Sequence, residues 1–124
     1  MTKILVVDDE APVRQTVRDI LERAQFAVEE AADVETALTL SASAQPELIV
    51  TDILMPDHDG LELILQLREA SPATRILAMS GGGLMDPSKL LIIAKALGAD
   101  DYIAKPFGKA ALIEKVQSCL RVAR

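Results

Sequence analysis

The stretch Leu48–Gly60, LIVTDILMPDHDG, decides the fold. It opens as a short apolar run, reaches one carboxylate at Asp52, and breaks at Met55-Pro56 and again at Gly60. Four to eight apolar residues halted by a turn read as a parallel strand buried on both faces. Strand three is therefore placed at Leu48–Thr51. Ligand sites in open α/β sheets lie just beyond the carboxyl ends of the strands, so Asp52 belongs on that rim.

The flanking sequence repeats the same unit. Lys3–Val7 (KILVV) is a first strand that runs into Asp8, Asp9 and Glu10. Pro12 suits the first turn of helix one, where its missing N–H costs nothing. Val13, Val17, Ile20, Leu21 and Ala24 recur at helical spacing and give that helix one buried face. Ala27–Ala31 is a weak second strand near an edge, and Asp33 caps a helix two that ends before Gln45-Pro46. Gly60 opens helix three, with Leu63, Ile64 and Leu67 toward the core. Arg75–Ser80 is strand four, and Gly81, Gly82 and Gly83 follow as a loop with wide backbone freedom. Asp86-Pro87 reads as the cap and first residue of helix four, and Gly98 closes it. Asp101–Ala104 is strand five. Lys109–Arg124 is helix five, with Leu112, Ile113, Val116, Cys119 and Leu120 inward. Strands alternating with helices predict one doubly wound parallel sheet covered on both faces, joined by right-handed crossovers. No repeat or linker divides the sequence, so residues 1–124 are expected to form one domain.

Composition removes several functions. The net charge is -6 at pH 7, which disfavours direct binding of nucleic acid or an anionic membrane. Phe26, Tyr102 and Phe107 are the only aromatics, too few for a base-stacking platform. The lone Cys119 excludes an internal disulfide and reads as a packing residue on helix five. No apolar run approaches the ~20 residues of a membrane span, and no signal-peptide pattern opens the chain. A cytoplasmic location is expected. The glycines at 81–83 match neither a phosphate-loop nor a dinucleotide-binding spacing.

The chemistry converges on the strand ends. Strand one brings Asp8 and Asp9, strand three Asp52, strand four Ser80, and strand five Lys105 followed by Pro106. Three crowded carboxylates repel one another, and a bound cation is the cheapest way to keep them ionised. Oxygen-only donors select a hard ion, and a few carboxylates with remaining waters describe Mg²⁺. A metal, a lysine and a hydroxyl around one carboxylate form a clamp for a phosphoryl group.

With VVDDE near the start, TDILMPDHDG in the middle, a serine after strand four and GADDYIAKPF late, the whole chain resembles a response-regulator receiver domain of two-component signalling. The resemblance implies a flavodoxin-like (βα)5 fold with strand order 2-1-3-4-5. It implies that Asp52 accepts a phosphoryl group from a phosphohistidine on a sensor histidine kinase or a phosphotransfer protein. It assigns direct Mg²⁺ binding to Asp9 and Asp52, a largely water-mediated part to Asp8, and a backbone carbonyl to Leu54. Lys105 would contact the phosphoryl group, with a cis peptide before Pro106, a feature of few X–Pro bonds. Ser80 and Tyr102 match the family's switch pair. Such a domain is a signalling module rather than an enzyme, though it promotes its own phosphorylation and dephosphorylation. Gly81–Leu90 is a few residues longer than usual in the family.

Competing readings are weaker. A Mg²⁺-dependent phosphatase of the haloacid dehalogenase type carries a general acid two residues after its nucleophile, and that position here is Leu54. A receiver that only binds partners has no need of the full Asp8, Asp9, Asp52, Ser80 and Lys105 set. Ser80 as an ordinary strand-end hydroxyl and Tyr102 as a half-buried edge tyrosine are the plain alternatives to the switch. His58 is expected to be exposed. The apolar residues of helix four, Leu90, Leu91, Ile92, Ile93, Ala94 and Leu97, cover more than one face. Its outer side, with strand five and helix five, is expected to serve a partner or a homodimer. An output domain outside these residues is a further expectation.

Overall fold

The computed structural model describes residues 1–55, 58–81 and 86–124, and of residues 54, 55, 58–60, 87, 90 and 91 only the backbone. Its elements are β1 (Lys3–Val7), α1 (Ala11–Arg23), β2 (Ala27–Ala31), α2 (Val34–Ala44), β3 (Leu48–Asp52), α3 (Gly60–Ala70), β4 (Arg75–Gly81), α4 (Pro87–Leu97), β5 (Asp101–Lys105) and α5 (Lys109–Leu120). The five strands pair in parallel in the order β2-β1-β3-β4-β5, as expected for a doubly wound flavodoxin-like sheet.

Alternation along each strand sorts the core into two layers. Ile4, Val6, Leu48, Val50, Leu77, Met79 and Ile103 pack on Val17 and Leu21 of α1 and on Leu112, Val116 and Cys119 of α5. Leu5, Val7, Ile49, Ile76, Ala78 and Tyr102 pack on Ala37 of α2, on Leu63, Ile64 and Leu67 of α3 and on Ala94 of α4. β3 is buried at all five positions, which accounts for its unbroken apolar run. The helix ends follow local chemistry. Asp33 accepts from the Thr36 N–H at 2.8 Å, and Asp86 accepts from the Ser88 N–H at 3.0 Å. Gly98 closes α4 at φ 124°, a left-handed position that favours glycine.

Four boundaries differ from the sequence expectation, the first at β3, which runs through Asp52 where it pairs with Met79. β4 runs through Gly81 and β5 through Lys105, because those two residues pair and extend the ladder. Gly81 is therefore strand, not loop, while Gly82 and Gly83 lie outside the described residues. Helix α5 stops at Leu120, not Arg124. The chain there turns back on the sheet: the Val122 carbonyl accepts from Arg75 Nε at 3.0 Å, and Arg124 Nε donates to Asp100 at 2.7 Å. A short antiparallel ribbon, Leu54–Met55 against His58–Asp59, precedes α3. Two residues per strand are too few to show an alternation in sequence.

β2 is tied to α1 by charge. Glu30 accepts from Arg18 Nη1 at 2.7 Å and from Arg14 Nε at 3.2 Å. The Arg18 hydrogen bond leads in holding the Glu30 carboxyl below its usual range, against the opposing effect of burial. A lowered folded pKa stabilises above the unfolded value, and the benefit is lost as pH falls through the folded one. Glu30→Gln is expected to lower the urea midpoint at neutral pH. The gap to the parent should close as pH drops below about 4.3, the ordinary glutamate value. Urea titrations at several pH values check this, and a gap independent of pH contradicts it.

Candidate functional site

Strand parity brings four rim residues to the α1/α5 face. Asp8 follows Ile4 and Val6, Asp52 follows Leu48 and Val50, Gly81 follows Leu77 and Met79, and Lys105 follows Ile103. Asp8 is fully buried and Asp52 is 6% exposed, whereas Asp9 faces solvent. One oxygen from each of the three carboxylates lies within 4.8 Å of the others.

Asp8 is held from every side. Its backbone N–H donates to Ala31, and its carbonyl accepts from Arg14 Nη1 at 2.8 Å. Its Oδ1 accepts from the Glu10 N–H at 2.9 Å, and its Oδ2 accepts from Lys105 Nζ at 2.7 Å. The same ammonium lies 3.5 Å from Asp52 Oδ2. Burial alone would lower the Lys105 pKa. The hydrogen bond to Asp8, then the charges of Asp52, Asp8 and Glu10, outweigh it, and the net shift is upward. Lys105 therefore stays a fixed cation. The Lys105-Pro106 peptide is cis, as expected. Beside this cluster opens a cavity of about 550 Å³, lined by Val13, Val17 and Phe107 together with Asp52, Gly81 and Lys105.

Three carboxylates against one ammonium leave an excess of two negative charges. The donors are all oxygens, which fits a hard divalent cation such as Mg²⁺. Leu54, expected to lend its carbonyl, and His58, expected to be exposed, lie outside the residues described in full, as do Leu90 and Leu91.

Ser80 and Tyr102 sit on the other side of the sheet. Their parity follows Ile76 and Ala78, and Tyr102 packs in the layer under α3 and α4. Ser80 is 1% exposed and Tyr102 8%. The Tyr102 hydroxyl is buried and finds no hydrogen-bond partner among the described residues. A buried hydroxyl without a partner costs free energy that phenylalanine does not carry. Tyr102→Phe is expected to raise unfolding stability by about 1 kcal/mol. An unchanged or lowered denaturation midpoint would mean the hydroxyl is satisfied in solution. Cys119 is 1% exposed, and burial first, then the Asp101 and Asp100 charges, push its thiol up to about 12. It is an inert packing group, as expected.

Arg14 and Gly81 escaped sequence reasoning. Arg14 lies one helical turn after Glu10, and its reach to the Asp8 carbonyl depends on how α1 seats on the sheet. Gly81 was hidden in a glycine run.

A parallel sheet of this order with an acid cluster and lysine on one rim defines a class, and the comparisons agree on it. Residues 4–117 match the response regulator receiver domain family. The transcriptional regulatory protein ResD of Bacillus subtilis is 38% identical over 122 residues, 98% of this chain and 49% of that protein. The KDP operon transcriptional regulatory protein KdpE of Escherichia coli is 38% identical over 123 residues, 99% of this chain and 51% of that protein. Among solved structures, the receiver domain of NtrX from Brucella abortus is 31% identical with a TM-score of 0.90, covering 97% of this chain and 99% of that one. Chemotaxis protein CheY4 of Vibrio cholerae is 34% identical with a TM-score of 0.87, covering 96% of this chain and 98% of that one. The chain belongs to the response regulator receiver family of two-component signalling. It spans about half the length of the curated relatives it matches. Receiver domains are signalling domains that generally bind Mg²⁺ at an acidic pocket. No helix among the described residues is long and apolar enough to cross a membrane.

Proposed function

We propose that Asp52 is the phosphoryl acceptor of this receiver domain. One observation carries the reading: three carboxylates converge within 4.8 Å, and one lysine ammonium contacts both Asp8 and Asp52 beside an open cavity that Asp52 and Lys105 line. Asp8, Asp9, Asp52 and the carbonyl of Leu54 would hold Mg²⁺, which supplies positive charge to the phosphoryl oxygens when bound. An Asp52 carboxylate oxygen forms the new O–P bond as the N–P bond of a phosphohistidine breaks, and the departing imidazole nitrogen keeps the electron pair. Lys105 holds a positive charge where the phosphoryl oxygens arrive. In the return step, water attacks phosphorus, and Asp52 regains its carboxylate as inorganic phosphate leaves.

Residues 1–124 act as one such domain, located in the cytoplasm with a histidine kinase or phosphotransfer protein as donor. Ser80 hydrogen-bonds a phosphoryl oxygen, and Tyr102 responds from the same side of the sheet. Their movement alters the α4–β5–α5 surface, which meets a second copy or an output domain. Ile92, 69% exposed on α4, supports that surface. Ile92→Ser is expected to weaken any self-association without loss of folding, read by light scattering.

Intact-mass analysis after incubation with acetyl phosphate and Mg²⁺ tests the acceptor chemistry. Gain of one phosphoryl group that disappears with a chelator is the expected result. No gain with acetyl phosphate or with a phosphorylated histidine kinase would overturn the reading.

A further inference from the structure

Asp9 is the exposed member of the acid cluster, yet one of its carboxylate oxygens lies within 4.8 Å of those of Asp8 and Asp52. Core packing does not hold a side chain that faces solvent, so its place follows from the backbone that carries it. The carbonyls on either side of Asp9 are both bonded by one residue. Arg14 Nη1 donates to the Asp8 carbonyl at 2.8 Å, and the Arg14 backbone N–H donates to the Glu10 carbonyl at 3.1 Å. The second is the ordinary bond of a first helical turn, whereas the first is one the helix itself does not supply. The Asp8 carbonyl lies in the planar peptide shared with Asp9. Fixing that carbonyl fixes the direction in which Asp9 leaves β1.

The guanidinium is itself aimed. Its Nε donates to Glu30 of β2 at 3.2 Å, and the side chain is only 17% exposed. A planar guanidinium presents its donors in fixed directions, which a flexible ammonium does not. Arg18 supplies the contrast. It reaches the same Glu30 at 2.7 Å, and its other ionic partner is Glu22 at 3.2 Å, away from the acid cluster.

We propose that Arg14 is a positioning residue for the cation site: anchored on Glu30, it pins the Asp8–Asp9 peptide so that the Asp9 carboxylate meets those of Asp8 and Asp52. Its consequence for Mg²⁺ rests on the reading of these acids as the ligands, while its hold on the backbone does not. A guanidinium near three carboxylates also opposes a bound cation by its charge. Removing Arg14 therefore loosens the ligand and relieves the repulsion, two effects of opposite sign on Mg²⁺ affinity.

Isothermal titration calorimetry with Mg²⁺ compares the parent with Arg14→Met and Arg18→Met. Methionine keeps an apolar stem and removes both the charge and the donors. Arg14→Met is expected to bind Mg²⁺ about tenfold more weakly, the usual cost of losing a group that orients a metal ligand. Arg18→Met loses the same charge and a contact to the same Glu30, and should bind Mg²⁺ as the parent does. Equal or tighter binding in Arg14→Met, or an equal loss in Arg18→Met, overturns the proposal. Amide exchange followed by NMR reads the metal-free protein. The Glu10 N–H donates to Asp8 Oδ1 at 2.9 Å and should exchange about tenfold faster in Arg14→Met, as the turn it belongs to opens. If the parent takes up no Mg²⁺, the ligand reading falls and this exchange alone decides: faster exchange keeps the proposal, and unchanged exchange overturns it. If Arg14→Met does not fold, Arg14→Lys takes its place, since lysine keeps the charge and gives up the fork. Weaker Mg²⁺ binding is then expected, and the parent's affinity overturns the idea.

Discussion

Asp52→Asn is expected to leave the protein folded and unable to take up a phosphoryl group. Asparagine matches aspartate in shape, so the end of β3, paired with Met79 of β4, keeps its packing. What changes is charge and nucleophilicity. An amide oxygen does not form a stable acyl phosphate, so uptake from acetyl phosphate should fall by at least about 10³-fold. Two carboxylates remain, and the Lys105–Asp8 ion pair at 2.7 Å is untouched. Mg²⁺ affinity should therefore fall, because one of three negative ligands is gone. Intact-mass time courses and a Mg²⁺ series of thermal melts measure the two effects. A variant that gains phosphate as fast as the parent moves the acceptor to another residue. A variant that binds Mg²⁺ unchanged removes Asp52 from the ligand set.

The sequence disclosed those features that one strand or helix decides alone. Asp52 follows four buried residues' worth of pattern, and Asp8 and Lys105 stand at the ends of their own strands, so their place on one rim was legible. The capping roles of Asp33 and Asp86 are likewise local. Features set by the meeting of two elements were not. Gly81 reads as the first of three loop glycines until its pairing with Lys105 is known. The end of α5 depends on a guanidinium and a carboxylate offered from elsewhere in the fold, Arg75 and Asp100, so apolar spacing overran it by four residues, from Leu120 to Arg124. Ser80 lies one residue inside the end of β4, which runs through Gly81. Alternation also fixes its side of the sheet, which is that of Tyr102 rather than of Asp52.

Lys105→Met is expected to separate the two jobs of the lysine, charge balance and phosphoryl contact. Methionine keeps much of the apolar stem over β4 while removing the ammonium. Asp8 is then a fully buried carboxylate that has lost its partner at 2.7 Å. Breaking one side of a buried pair costs roughly 3–5 kcal/mol. The Glu10 N–H still donates to Asp8, so the metal-free loss should lie toward the low end. The acid cluster now lacks its internal cation, and Mg²⁺ should bind at least about tenfold more tightly, since ammonium and metal compete for the same oxygens. The melting temperature should thus start lower than in the parent and climb further with added Mg²⁺. Phosphoryl uptake should nevertheless fall about 10²-fold, because the charge that meets the phosphoryl oxygens is gone. Stability lost, metal gained and transfer slowed form a pattern that simple misfolding does not produce. Weaker Mg²⁺ binding in Lys105→Met would place the lysine outside the electrostatic balance of the site. Unchanged uptake would show that the metal alone answers the phosphoryl charge.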